Sequence, residues 1–464
     1  MHYYRRSDFV NPTAENDFST GSIPAHMLRL ALPMTLAQLI NVLYNIIDRI
    51  FIGRIPFDST NALTGLGVAF PICTITIAFA NLVGMGGAPL FSMARGAGEL
   101  GRARKILGNS FSMLLISGGI LMVLCYLFKH PLLYLFGASD ITYPYANAYI
   151  SLYLIGTLFV MISLGMNNFI NAQGFGMTGM LTVSIGAVLN LILDPLFIFV
   201  LHMGVRGAAL ATIISQGISA IWVLHFLTGK KAILTLSLAY MKLDFRLVKE
   251  ICALGLAGFI MAITNGSVQI VCNATLSRYG GDLYVGIMTV INSVREIITM
   301  PVTGLTSGAQ PVMSFNYGAG KHARVKSAIK FTTIVCILFS CFMWALLLAF
   351  PRFFIHMFNS EPELLAEGVP AMHLYFFGIF MMSLQFAGQS TFTALEKAKQ
   401  AVFFSLLRKA IIVIPLTLWL PTVGGLGTNG VFLAEPVSNF IGGTACFVTM
   451  IFTVWRKLDS GKQK

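Results

Sequence analysis

Between residues 25 and 455 the polar positions are sparse and clustered, and the apolar runs between the clusters are long. Twelve such runs stand out, centred near Gln38, Phe79, Gly118, Thr157, Leu191, Ser215, Ile263, Val290, Val335, Phe380, Ile412 and Phe440. An apolar run of about 18 residues or more spans the hydrocarbon core of a bilayer as an α-helix. The runs lack the period-two alternation that spanning β-strands require. The expected fold is therefore all-α, an integral membrane protein of 12 transmembrane helices. Composition agrees: 56% of the 464 residues are apolar and 11% charged, where soluble domains carry roughly a quarter charged residues.

The pattern occurs twice. Pro89 to Arg102 reads "PLFSMARGAGELGR" and Pro311 to Arg324 reads "PVMSFNYGAGKHAR", an offset of 222. The same offset pairs Phe136 with Phe358, Tyr153 with Tyr375, Gly156 with Gly378 and Ala172 with Ala394. Near the ends it drifts by one residue, pairing Gly207 with Gly430 and Ala211 with Ala434. The expected organisation is a tail over residues 1–24, a six-helix lobe over 25–228 and a basic loop over 229–245. A second six-helix lobe follows over 246–456, with a tail over 457–464. An even number of spans per lobe leaves both in the same orientation, a parallel repeat about an axis along the membrane normal, which is a known transporter plan.

The formal charge of +13 is distributed by side. If both termini share a side, the segments there hold 22 Lys and Arg, and the opposite loops hold 6. That is the positive-inside pattern, so both termini are expected in the cytoplasm, and the charge reports topology rather than nucleic-acid binding. The polar first 25 residues lack the apolar stretch and cleavage site of a signal peptide. All seven cysteines lie in apolar runs without a CxxC partner, which suggests buried small hydrophobes rather than disulfides or a zinc site.

Against this background a few charges lie inside the runs: Asp48, Asp194, Glu296 and Glu435, with Arg295, Arg408 and Lys409. A charge at mid-span costs about 2.5–3.5 kcal/mol on insertion scales, so each needs a reason. In "VLNLILDPLFIF", Asn190 and Asp194 are four residues apart and share a helix face. Pro195 has no N–H and crowds the carbonyl four residues back, on Leu191, so the fifth helix is expected to kink beside the carboxylate. The bland alternatives are an interfacial Asp48 paired with Arg49, a helix–helix hydrogen-bonding pair at Asn190 and Asp194, and a Thr212 bonded to its own backbone. If Asp48 and Asp194 meet inside one bundle, either one carboxyl holds a proton or a cation sits between them. Carboxylate, amide and hydroxyl oxygens suit a small hard ion such as Na⁺, so a coupling-ion site is expected here. The second half lacks this chemistry: Thr212 aligns with Glu435, and Arg408 is expected either to form a buried pair with Glu435 or to snorkel to the cytoplasm. Arg295 and Glu296 are neighbours that point different ways, so one of them is expected to reach the central cavity.

With "LPMTLAQLINVLYNIIDRIFIG", "ALTGLGVAFPI", the twin "GAG" loops, "NLILDPLFI", "GVRGAALAT" and "GTNGVFLAEP" on the page, the chain resembles the multidrug and toxic compound extrusion (MATE) family over residues 25–455. It is similar to the DinF-like and MepA-like branch of bacterial drug exporters rather than the NorM branch. The resemblance implies a cation or proton site at Asp48, Asn190, Asp194 and Thr212. NorM-type sequences place acids on the seventh and tenth helices. Here the seventh has none and the tenth only Glu396, at its cytoplasmic end. The resemblance further implies the MATE/MOP fold in the plasma (inner) membrane. It implies antiport driven by Na⁺ or H⁺, which exports amphipathic, mostly cationic compounds by alternating access. It implies no cofactor beyond that ion and no partner beyond bilayer and substrate, the monomer sufficing. The 23 methionines fit a promiscuous cavity, because Met repacks around varied ligands; Met161, Met166, Met261, Met288 and Met381 are the candidates.

The nearest rival is a lipid-linked oligosaccharide flippase of the same superfamily, which tends to keep a strongly cationic cavity. A major-facilitator exporter usually carries Asp in the loop after its second span, whereas "ARGAGELGRARK" has none. HExxH, GxSxG and P-loop motifs are absent from the sequence, so neither an enzyme nor an ATP-driven pump is expected.

Overall fold

The computed structural model describes residues 16–52, 55, 59–358 and 361–459. Arg5, Arg6, Arg54, Lys462 and Lys464 of the charge count, and the side chain of Arg49, lie outside the described residues. The first half forms α1 (Ile23–Ile52), α2 (Ser59–Gly96), α3 (Leu100–Leu127), α4 (Tyr143–Ala172), α5 (Gly176–Val200) and α6 (Val205–Thr228). Helical hydrogen bonding then runs through Phe245–Gly318, but Gly281, at φ 69° and ψ −164°, divides it into α7 (245–280) and α8 (282–318). The rest is α9 (His322–Ala349), α10 (Pro362–Phe376 and Ile379–Ala394, bent by 42°), α11 (Ala398–Thr422) and α12 (Thr428–Leu458). Among the described residues these are the twelve expected spans, and each expected centre falls inside one.

The spans meet the demands of hydrocarbon in two ways. Hydroxyls inside them return to the carbonyl four residues back, as Thr76 does to Ile72 (3.4 Å) and Thr332 to Ala328 (2.8 Å), so they need no water. Apolar side chains are also left outside. On α1, Leu32, Leu36, Leu39, Leu43, Ile46 and Ile50 form an exposed stripe at alternating three- and four-residue steps, a face suited to lipid.

The chain divides into two compact units. One runs to Cys252 and includes Ser314–Lys321; the other holds Ala253–Met313 and everything from His322 on. Loop 229–245 is fastened to the first unit. Gln173 exchanges two hydrogen bonds with Leu234 (2.9 and 3.3 Å). Asn109 accepts from Asp244 N (2.7 Å) and donates to Lys242 O (3.2 Å), and Ser112 donates to Met241 O (2.7 Å).

The described end of the N-terminal tail is docked as well. The buried Arg95 guanidinium donates to Ala172 O (3.1 Å) and Asn16 O (2.8 Å), and lies over the rings of Phe18 (5.2 Å) and Phe315 (4.7 Å). Asn316 donates to Phe18 O (3.0 Å) and Lys321 to Ser19 O (2.9 Å). Burial would raise the carboxyl of Asp17. Hydrogen bonds from Ser19, with Lys321 and Arg95 nearby, more than offset that and hold it below the usual carboxylate range.

The twin GAG motifs explain themselves here. Their last glycines, Gly98 (φ 77°) and Gly320 (φ 68°), turn the chain through left-handed backbone. Their first glycines make a reciprocal close approach. A methyl at Gly96 would run into the carbonyl of Phe315, and one at Gly318 into that of Met93. Gly318→Ala is therefore expected to cost about 1–3 kcal/mol, as overpacking does, read as a lower melting temperature in detergent. An unchanged melting temperature would show that these backbones part freely.

Candidate functional site

In the first unit α5 carries Thr182, Gly186, Asn190 and Asp194 at four-residue steps, one continuous face. α6 runs antiparallel against it. Ser219 donates to Thr182 O (3.1 Å), a Cβ on Gly186 would lie 2.7 Å from Ser219 Oγ, and Asn190 Nδ2 donates to Thr212 Oγ1 (3.4 Å). The same Asn190 nitrogen donates to Asp194 Oδ1 (3.4 Å), and Thr212 also bonds back to Ala208 O (3.0 Å). From α1, Asp48 lies against Asp194 within hydrogen-bonding reach, and the Tyr44 hydroxyl meets Thr212. Asp48, Asn190, Asp194 and Thr212 are all buried. The structure thus brings the four expected residues together, and Thr212 serves both its own backbone and the cluster.

The cluster closes one end of a small polar cavity of about 40 Å³ whose lining includes Asn41, Tyr44, Thr182, Asn190, Thr212 and Ser215. At ~10–15 Å³ per water-sized particle, it holds a few waters or an ion, and is far below the ~300 Å³ where drug-sized sites begin. Three buried oxygens, Asn190 Oδ1, Asp194 Oδ2 and Ser215 Oγ, have no protein partner. Buried polar atoms are nearly always satisfied, and all three of these can accept. Each is free to accept a hydrogen bond or to face a cation.

At Pro195 the helix keeps α dihedrals (φ −63°, ψ −32°) and widens into a π turn over Leu196–Val200. The missing N–H is accommodated by a wider turn, a feature frequent at functional sites.

The second unit holds a different cluster. Glu435 on α12 receives Lys409 Nζ at 2.9 and 3.1 Å on its two oxygens, Arg408 Nη1 at 3.3 Å and Arg295 Nη1 at 3.9 Å. Arg408 also donates to Asn439 Oδ1 (2.6 Å), and its own carbonyl accepts from Ser438 (3.0 Å). Arg408 is thus turned inward with Glu435 rather than outward to the cytoplasm. Of the neighbours Arg295 and Glu296, the arginine reaches the cluster's pocket and the glutamate is exposed. Sequence reasoning did not join Lys409 to this pair.

The five methionine candidates differ in their surroundings. Met161 and Met166 are wholly buried core residues and do not line the first unit's cavity; Met161 Sδ lies where a Cβ on Gly118 would come within 3.0 Å. Met288 lines the second unit's pocket, while Met261 and Met381 are half-buried. Tyr44, which sequence reasoning missed, carried a signal: it precedes Asp48 by four residues and so shares its face.

Twelve spans, a sequence that repeats at an offset of 222 and a buried polar site in each unit define a membrane transporter of the duplicated-bundle type. The chain belongs to the MatE family, whose profile matches residues 33–196 and 258–419, one stretch in each half. It is 27% identical over 434 residues to the multidrug export protein MepA of Staphylococcus haemolyticus (strain JCSC1435), covering 91% of this chain and 93% of that one. To MepA of Staphylococcus saprophyticus subsp. saprophyticus it is 24% identical over 400 residues, covering 85% and 87%. Among solved structures, a MATE protein in the bent conformation matches with a TM-score of 0.91 at 19% identity, over 97% of this chain and 99% of that one. The outward-facing conformation of a multidrug resistance MATE family transporter of the MOP superfamily matches at 0.90, with the same identity and coverage. At that identity the likeness is one of fold.

Proposed function

We propose that this chain is a cation-coupled antiporter that exports amphipathic, mostly cationic compounds, with Asp48, Asn190, Asp194 and Thr212 as its coupling-ion site. It works as a monomer in the plasma membrane with both termini cytoplasmic, an orientation supported by the 22-to-6 distribution of Lys and Arg. The observation that carries the reading is the set of orphaned oxygens around Asp194. Export is what the name of the MepA relatives states of those proteins.

The chain's own residues supply the coupling. Without an ion, Asp48 and Asp194 repel as carboxylates, by about 4 kcal/mol for two unit charges ~4 Å apart at an effective dielectric of ~20. A proton or Na⁺ removes that repulsion and lets α1 and α5 close on each other. An energy of that size moves a two-state equilibrium by roughly a thousandfold, enough to bias alternating access. Asn190 orients Asp194 through its amide, and the π turn beside Pro195 gives α5 a place to yield. Each charge entering down the membrane potential contributes about 2.3 kcal/mol per 100 mV.

The test is purified protein in liposomes loaded with a fluorescent lipophilic cation, with a Na⁺ gradient and a proton gradient imposed separately. One gradient is expected to drive the dye uphill, and that gradient names the ion. Dye movement that ignores both gradients would sink the antiporter.

A further inference from the structure

The second unit gathers more positive charge than its carboxylate can balance. Among the described residues, Arg295, Arg408 and Lys409 all lie within 4 Å of Glu435, which is the one carboxylate they meet. In their ordinary charged forms this is three cations to one anion. Lys409 and Arg408 are buried, on a span, where an uncompensated charge costs several kcal/mol. The Tyr375 hydroxyl hydrogen-bonds Arg295 and is not a carboxylate.

The surplus borders a pocket. Lys409, Arg295 and Glu435 line a cavity of about 10 Å³, the room of a single water-sized particle. Its other polar walls include Tyr375, Asn265 and Gln269, the last two four residues apart on α7, and Asn292, three before Arg295 on α8. Asn265 and Gln269 are exposed, so the pocket has an open side lined by amides that can donate. Donors at the mouth, cations at the floor and room for one small particle describe the reverse of the first unit's site, where the unpaired atoms are oxygens.

We propose that this pocket is a binding site for one small monovalent anionic group, held by Arg295 and Lys409 and guided in by the Asn265–Gln269–Asn292 amides. The shared chemistry is a halide ion or the carboxylate of an organic acid. A pyrophosphate is too large for the space. The site stands apart from the coupling-ion reading and does not need it to be right.

The experiment uses the full chain in detergent at constant sodium, with methanesulfonate replaced stepwise by chloride or by benzoate, and the melting temperature as readout. A saturable rise is expected for wild type and equally for Asp194→Asn, which separates this site from the cation site. In Arg295→Gln, which leaves Glu435 its two nearer partners, the apparent Kd is expected to weaken at least tenfold. Lys409→Met should do the same where it folds. Saturation with both anions assigns the site to a halide-sized ion, and saturation with benzoate alone assigns it to carboxylates. No saturable rise with either anion, or an Arg295→Gln curve matching wild type, overturns the proposal.

Discussion

Asp194→Asn is expected to keep the fold and abolish gradient-driven movement of the dye. Asparagine has the shape of a protonated aspartate, so the contact with Asn190 and the packing of α5 on α6 survive. The substitution also removes a buried negative charge, so the melting temperature should hold or rise. What is lost is one charged ligand of the coupling ion. Hydrogen bonds to charged groups contribute about 1.5–3 kcal/mol, which lowers ion affinity roughly 10- to 150-fold. Side-by-side liposome assays under the driving gradient check this. Asp48→Asn should act in the same direction. Thr212→Val should do less, because it removes a neutral ligand rather than a charged one. A fully active Asp194→Asn protein would remove the coupling role from this aspartate.

Glu435→Gln is expected to be the more damaging change to stability. It leaves Lys409, Arg408 and Arg295 together without their carboxylate, and breaking a buried ion pair from one side costs about 3–5 kcal/mol. Lys409→Met should cost less, since Glu435 keeps Arg408 at 3.3 Å and Arg295 at 3.9 Å. Combining the two substitutions should recover part of the loss, because the group left unpaired by one is removed by the other. Thermal unfolding of the three variants in detergent decides it. A Glu435→Gln protein that melts with wild type would show that the bases are not held charged by this carboxylate.

The spans and the repeat were legible because hydropathy over a membrane's thickness and an offset of 222 need no tertiary information. The first site was legible in its parts. Asn190 and Asp194 share a face by spacing alone, but their meeting with Asp48 and Thr212 depends on α1 and α6 packing beside α5, which no local pattern encodes. Tyr44, Thr182 and Gly186 were in phase with these residues, yet each is an ordinary helix residue until the facing helix is known. Lys409 is the clearest case of what spacing conceals. On an α-helix it points about 100° away from Arg408, and so was not joined to the same carboxylate. The chain around both is a π turn, Leu407–Val413, and long side chains on that turn converge on Glu435. The interlobe loop read as a linker because it is basic and lies between repeats; Asn109 and Gln173, which fasten it, are more than 60 residues upstream.

The reciprocal approach of the GAG motifs bears on why the halves match in some places and not in others. Each motif is the other's neighbour: Gly96 faces the carbonyl of Phe315 and Gly318 that of Met93, where Gly96 and Gly318, and Met93 and Phe315, are counterparts at an offset of 222. This is the logic of an isologous contact, in which one surface is used twice about a twofold axis. A side chain added to either copy strikes the backbone of its twin, so neither motif is free to vary alone. The polar clusters have no such mutual constraint, since each packs within its own half. Likeness is thus retained at the twin motifs, and the polar interiors have been left free to acquire opposite electrical sign.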